Sequence, residues 1–303
     1  MQIANPIYDV VFKYLMEDNK IAKLLISAII GEKIISLDCL PKERIAEFEF
    51  ELHTLTVYRL DFSAKIQTAK GYKNVLIEIQ KAKFATDIMR FRKYLGEQYQ
   101  KKENVYQTII NGIEKKKAMP ILSIYFLGHK LDHITVPVIK VKREYYDATT
   151  GKRLTEKEEF IESLTHDSFI IQIPHLRRKY QTEVEQLLSV FDQRNVTSDS
   201  HILNVKEEDF PERYRAMIRR LQSAVSEPEV RDKMDIEDEI LEELQDWERE
   251  VERRDQIIEE KDQMIDEKDK TIEEDRRMIA EKDKTIEEKD KLIEELKRKL
   301  EHQ

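Results

Sequence analysis

Cysteine, glycine and proline are scarce in this sequence: one Cys, 6 Gly and 7 Pro in 303 residues. The lone Cys39 cannot close an internal disulfide, which fits a reducing compartment. It reads either as a catalytic thiol or, more commonly for an isolated cysteine, as a small buried hydrophobe. So little Gly and Pro argues against a loop-rich all-β fold and against a disordered linker. No stretch reaches the apolar length of a membrane span. The longest mostly apolar run, Leu24 to Ile30, follows Lys23 and ends at Gly31. The N-terminus lacks the basic start and cleavage site of a signal peptide, so the expected location is cytoplasmic.

Charge is abundant. Charged residues make up 38% of the chain and hydrophobic residues 40%, with a net charge of −9. The balance is uneven. From Met234 to Gln303 there are 28 acidic and 15 basic residues, a balance of −13. Residues 1–233 hold 34 acidic and 38 basic residues, a balance of +4. An acidic tail therefore hides a mildly basic head, a sign that suits an approach to phosphates.

Asn5-Pro6 predicts a helix start, because Asn caps free N–H groups and Pro fits the first turn. Ile7, Val10, Val11, Tyr14 and Leu15 follow at helical spacing. A second helix is expected from Ile21 to Ile30, stopped by Gly31. After Pro41 the period changes. Phe48, Phe50 and Leu52 alternate with Glu47, Glu49 and Glu51, as in a half-buried strand. Thr56 to Gln67 and Lys73 to Lys81 read as two more strands flanking a turn at Thr68–Gly71, a hairpin. Phe84 to Lys102 returns to helical spacing, and the apolar run Ile121 to Leu127 reads as a strand buried on both faces. Residues 134–141 and 168–173 are expected strands. Thr182–Glu185 forms a capping box before a helix, and a further helix is expected from Pro211 to Val225.

The tail has the clearest period. Leu244, Val251, Ile258, Ile265, Ile272, Ile279, Ile286, Ile293 and Leu300 fall seven apart, with Ile240, Trp247 and Leu296 on a partner seam. Such a repeat is the coiled-coil pattern and predicts a homodimer through residues 240–300. The second seam carries Arg254, Lys261, Lys268, Asp275, Lys282 and Lys289, which weakens an ordinary two-stranded coil. A solvated single helix, held by pairs such as Glu273–Arg277, Glu287–Lys291 and Glu294–Arg298, is the alternative.

Two hairpin strands each carry a carboxylate fit for chemistry: Asp61 in Arg59-Leu60-Asp61-Phe62, and Glu78 in Val75-Leu76-Ile77-Glu78-Ile79-Gln80. Alternation puts Glu78 and Gln80 on one face and Val75, Ile77 and Ile79 on the other. Asp61 shares a face with Arg59, Ser63 and Lys65. Carboxylates from adjacent strands can bind Mg²⁺, a hard ion that takes oxygen ligands. The metal then lowers the pKa of a bound water and neutralises a scissile phosphate. Gln80, two residues after Glu78, can orient that water.

An Asp, a hairpin-length gap and then Glu-x-Lys is the signature of the PD-(D/E)XK nuclease superfamily, whose core runs αβββαβ. This chain resembles that superfamily, and most of all its Glu-x-Gln branch of recombination-promoting nucleases, or PD-(D/E)XK nuclease family transposases. The likeness covers about residues 5–130. It includes Asp9-Val10-Val11-Phe12-Lys13, the strand with Asp61, Ile77-Glu78-Ile79-Gln80, and the helix with Arg90, Tyr94 and Tyr99. It implies a mixed-sheet, restriction-endonuclease-like α/β core. It also implies Asp61 and Glu78 as ligands of Mg²⁺ or Mn²⁺, and Gln80 at the usual lysine position.

Departures and alternatives stand beside this. Gln80 carries no charge; Lys81 or Lys83 would have to supply it, and Lys81 points to the opposite face. Leu60, not Pro, precedes Asp61. Asp61 and Glu78 also read as edge-strand charges, and Asp9–Lys13 as an i,i+4 salt bridge rather than part of the catalytic shell. Glu17 is a weaker third carboxylate. Arg90, Arg92 and Lys93 read as phosphate contacts or as a solvated helix face. His129-Lys130-Leu131-Asp132-His133 has zinc-ligand spacing but reads as a turn. The expected organisation is a nuclease-like core at 1–145, an α/β extension at 146–233 and a long charged helix at 234–303. The expected function is metal-dependent DNA cleavage linked to mobile elements or recombination. The alternatives are a catalytically inactive DNA-binding relative and a coiled-coil assembly protein. DNA and a second copy are the expected partners, with no membrane and no small-molecule cofactor.

Overall fold

The computed structural model describes residues 1–39, 46–49, 54–57, 62–69, 71–81, 87–102, 104–110, 113–176 and 182–301. For 46–49, 54–57, 87–90, 108–110, 159, 296 and 299–301 it describes the backbone alone. The first half contains β1 (Gln2–Ala4), α1 (Asp9–Met16), α2 (Asn19–Ile30), β2 (Ile34–Cys39), β3 (Ala46–Glu49), β4 (Thr54–Val57), β5 (Phe62–Thr68), β6 (Gly71–Gln80) and α3 (Asp87–Gln100). Then come β7 (Val105–Ile110), β8 (Ile113–Ala118), β9 (Ile121–Leu127), β10 (Val138–Val141), β11 (Tyr145–Tyr146), β12 (Arg153–Leu154), α4 (Glu159–Leu164) and β13 (Asp167–Gln172). The chain closes with α5 (Glu183–Leu188), β14 (Ile202–Asn204), α6 (Arg215–Ala224) and α7 (Pro228–Glu301).

The protein is α/β, built on a mixed six-stranded sheet of order β10-β13-β9-β6-β5-β2. The β6–β9 and β9–β13 pairs are parallel, and the flanking pairs antiparallel. One sheet face meets α1, α2, α5, α6 and the start of α7 around a core that includes Val75, Ile77, Ile79, Ile124, Phe126, Leu25 and Met234. Phe12 of α1 packs its ring 5.5 Å from Phe126. On the other face, buried Phe91 of α3 stands 4.2 Å from Tyr125. Burial on both faces explains why β6 and β9 are apolar with so little interruption.

Local signals meet long-range partners here. Asp18 caps α2 by accepting from Lys20 N at 2.8 Å, and Gly31, at φ 70°, ends it in the left-handed conformation that glycine tolerates. Thr182 caps α5 by accepting from Glu185 N at 3.2 Å, as its sequence predicts. The first helix differs from expectation: α1 begins at Asp9, not at Asn5-Pro6. Asn5 is buried instead, accepting from Ile7 N and exchanging hydrogen bonds with Gln193. Glu212–Tyr214 forms a 3₁₀ turn ahead of α6, so the stretch expected as one helix has two parts. Cys39 is exposed rather than buried.

Residues Met1–Leu241 form one compact unit, so the first turns of α7 belong to the head. Glu242–Gln303 form the second unit, whose described part is helix. Among the described residues no helix is long and apolar enough to cross a membrane.

Candidate active site

β6 is an interior strand, so Glu78 is not an edge-strand charge. It is 3% exposed and pairs in register with Tyr125 of β9. Val75, Ile77 and Ile79 enter the main core, which leaves Leu76, Glu78 and Gln80 on the face of Phe91 and Tyr125. Burial pushes the Tyr125 phenol up, a hydrogen bond with Ser123 opposes this, and the Glu78 charge adds to the rise. Ser63 of β5 stands opposite Leu76, on the same face. Gln80 is half-buried, and its carbonyl accepts from Gly128 N at 2.6 Å. A Cβ on Gly128 would collide with the carbonyls of Lys81 and Gln80. Glycine therefore lets the exits of β6 and β9 close together.

Asp61, Lys83 and the Arg90 side chain lie outside what the structure describes. Arg92 and Lys93 are exposed on α3, while Tyr94 is buried. Tyr99 hydrogen-bonds His166 Nδ1 at 3.0 Å. Residues 129–133 are not helical. Among the described residues no group of three or more His, Cys, Asp or Glu side chains stands ready to hold a metal.

Asp9 is not brought together with Glu78. It lies on α1, over the opposite sheet face, and ion-pairs with Lys13 at 2.5 Å. Asp9, Lys13 and Glu17 line a cleft of about 270 Å³ with Glu229, Lys233 and Glu237 of α7. Glu237 caps α1, accepting from Asp9 N at 3.0 Å and Val10 N at 2.8 Å. Its burial, with the Asp9 charge beside it, pushes its carboxyl up from the ordinary 4.5 to about 7.

The next residue, Asp238, ion-pairs with Lys81 and accepts from Tyr8 Oη at 2.9 Å; His201 Nε2 stands 2.9 Å away. Burial works against ionisation of Asp238, but Lys81, His201 and Tyr8 together hold its carboxyl below the usual range. The Lys81 ammonium also sits 3.6 Å from the Tyr8 ring centroid. Lys81 is thus engaged on the α1 side, away from Glu78, as its alternation predicts.

Local spacing does not announce Glu237 or Asp238, since their partners Tyr8, Asp9 and Val10 lie 227 to 230 positions away. Comparison with protein-family models, curated proteins and solved structures finds no match to this chain. The case for function rests on the site itself: a buried carboxylate and an amide two residues on, at the exit of a central strand. Such a carboxylate can serve as an oxygen ligand for a hard cation or as a proton acceptor.

Proposed function

We propose that the head is a Mg²⁺- or Mn²⁺-dependent DNA endonuclease, with a PD-(D/E)XK, restriction-endonuclease-like core, that serves mobile elements or recombination in the cytoplasm. The observation that carries this reading is the burial of Glu78 at the centre of the sheet. A carboxylate at that position offers the oxygen ligand that a hard cation takes. With the separate β3–β4 and β7–β8 pairs set aside, the order α2, β2, β5, β6, α3, β9, with β2-β5-β6-β9 contiguous in the sheet, supports the reading. Glu78 and Asp61, the latter expected on the same face by alternation, would hold the ion. Bound there, it would supply an activated water and charge neutralisation at a phosphate. Gln80 would orient the water through its amide, beside the packed rings of Phe91 and Tyr125 on the same sheet face. The tail is read as a coiled coil that pairs two chains.

A second reading is favoured by a specific observation. Gln80 brings no charge, and the nearest lysine in sequence, Lys81, is bound to Asp238 on the other side. A DNA-binding relative without cleavage activity would have that arrangement. The deciding experiment incubates supercoiled plasmid with the protein in Mg²⁺, Mn²⁺ or EDTA, with Asp61→Asn alongside. Metal-dependent cleavage that the variant lacks supports the nuclease. Binding without cleavage under any metal supports the second reading.

A further inference from the structure

Outside the six-stranded sheet, β7 and β8 form a two-stranded ribbon, paired among the described residues with no other strand. Its root is fixed. Asn104 is buried, its carbonyl accepts from Met119 N at 2.9 Å, and its amide donates to Gln98 Oε1 at 3.0 Å. Asn74 of β6 donates to the same Gln98 oxygen at 3.1 Å. Tyr106 of β7 packs its ring 5.4 Å from Tyr72 of β6. The ribbon is therefore anchored to the strand that carries Glu78, four residues or roughly 13 Å from it along β6.

Its charge is concentrated. Residues 101–118 contain five lysines and two glutamates, +3 of the +4 carried by residues 1–233. Lys115 and Lys116 stand opposite Thr108 and Gln107, so no carboxylate lies directly across the ribbon from either. Lys115 and Lys116 are exposed, and among the described residues no ion pair holds either. Lysine on an open strand edge also guards against edge-to-edge pairing. That role is met by one lysine, whereas Lys115 and Lys116 in succession place exposed charge on both faces of the ribbon.

We propose that the β7–β8 ribbon is an arm that lies along duplex DNA, with Lys115 and Lys116 on its phosphates; this rests on the reading of the head as a DNA enzyme. A two-stranded ribbon fits the major groove, about 12 Å wide. Six residues per strand reach about 20 Å, the rise of roughly six base pairs. The contacts neutralise phosphates rather than read bases, so they add affinity at any sequence.

The test is anisotropy of a labelled mixed-sequence duplex with the full chain in EDTA, titrated across salt. Lys115→Ala/Lys116→Ala should bind about tenfold more weakly at low salt, with a log K against log salt slope shallower by about two. Lys115→Arg/Lys116→Arg should bind like wild type, as should Lys130→Ala, which removes an exposed lysine elsewhere. Wild-type affinity and slope in the Ala pair overturn the arm. So does a wild type that ignores the duplex, or that prefers duplex RNA or phosphatidylserine vesicles. A wild type that binds through the arm yet never cuts plasmid sinks the nuclease reading and leaves the arm standing. A cutting enzyme whose Ala pair binds normally does the reverse.

Discussion

Glu78 sits at 3% exposure on an interior strand, and its carboxylate is the oxygen donor proposed for the metal. If it binds a metal, Mg²⁺ or Mn²⁺ should raise the melting temperature of wild type, because a ligand that binds only the folded state stabilises it. Glu78→Gln, which keeps the shape but loses the anionic oxygen, should melt at the same temperature with or without metal. Its cleavage, and that of Asp61→Asn, should fall on the order of a hundredfold or more. Gln80→Ala should lose about tenfold, the scale of an outer-shell group, and Gln80→Lys should stay near wild type. A metal-induced rise that survives in Glu78→Gln would remove Glu78 as a ligand. Glu78 and Gln80 were legible because they alternate with Ile77 and Ile79 at the end of β6. Lys81 was legible only as facing away. Its partner Asp238, like the role of Asn5, belongs to contacts between distant segments that no local period records.

Glu237 makes a second residue-scale prediction. Its folded-state pKa of about 7 lies above the ordinary 4.5. The fold therefore disfavours its ionised form: the cost is absent below the ordinary value, grows as pH rises toward 7, and is complete above it. At about 1.4 kcal/mol per unit, the ceiling is roughly 3 kcal/mol. Glu237→Gln leaves one α1 N–H poorly served at every pH, at a cost of about 1 kcal/mol. The stability of wild type relative to this variant, from urea melts, should accordingly fall between pH 5 and pH 8. A difference that does not change with pH would mean that the carboxyl titrates normally.

At the scale of elements, the tail shows more than its seven-residue column. Ile257, Met264, Met278 and Leu292 are exposed immediately before Ile258, Ile265, Ile279 and Ile293 of that column. Thr271 and Thr285 fill the remaining places, and both direct their hydroxyls to carbonyls four residues back, at 3.0 Å. The apolar face is thus two columns wide, and the lysines at 261, 268, 282 and 289 lie between the columns, where their stems can cover apolar surface. The expected Glu273–Arg277 pair forms at 2.9 Å, yet such pairs contribute only about 0.2–0.5 kcal/mol each. Fully burying one isoleucine contributes about 1.5–3 kcal/mol. The isoleucine period was plain in the sequence. The second column was hidden by threonine, whose helical back-bonding is a structural fact. The β7–β8 ribbon had a signal too, Asn111-Gly112 between two alternating runs, but its lysines mask the strand pattern.

For the molecule as a whole, the consequence is assembly. A duplex has two strands to cut, and one head carries one Glu78. If the tail pairs two chains, light scattering at micromolar concentration should give twice the chain mass. Ile272→Asp/Ile279→Asp, which puts charge into the column, should return it to the mass of one chain. A chain truncated after Leu241 should also be monomeric. The cut belongs there because ending near Met234 would remove Glu237 and Asp238, which cap α1 and hold Lys81. Cleavage should follow mass. The full chain should turn supercoiled plasmid into linear DNA at a rate first order in protein. The truncated head should accumulate nicked circles, and any linear product should rise with the square of its concentration. A full chain with the mass of one chain, like the truncated head, would refute pairing. A truncated head that linearises plasmid as fast as the full chain would mean that one head cuts both strands and that the tail serves some other end.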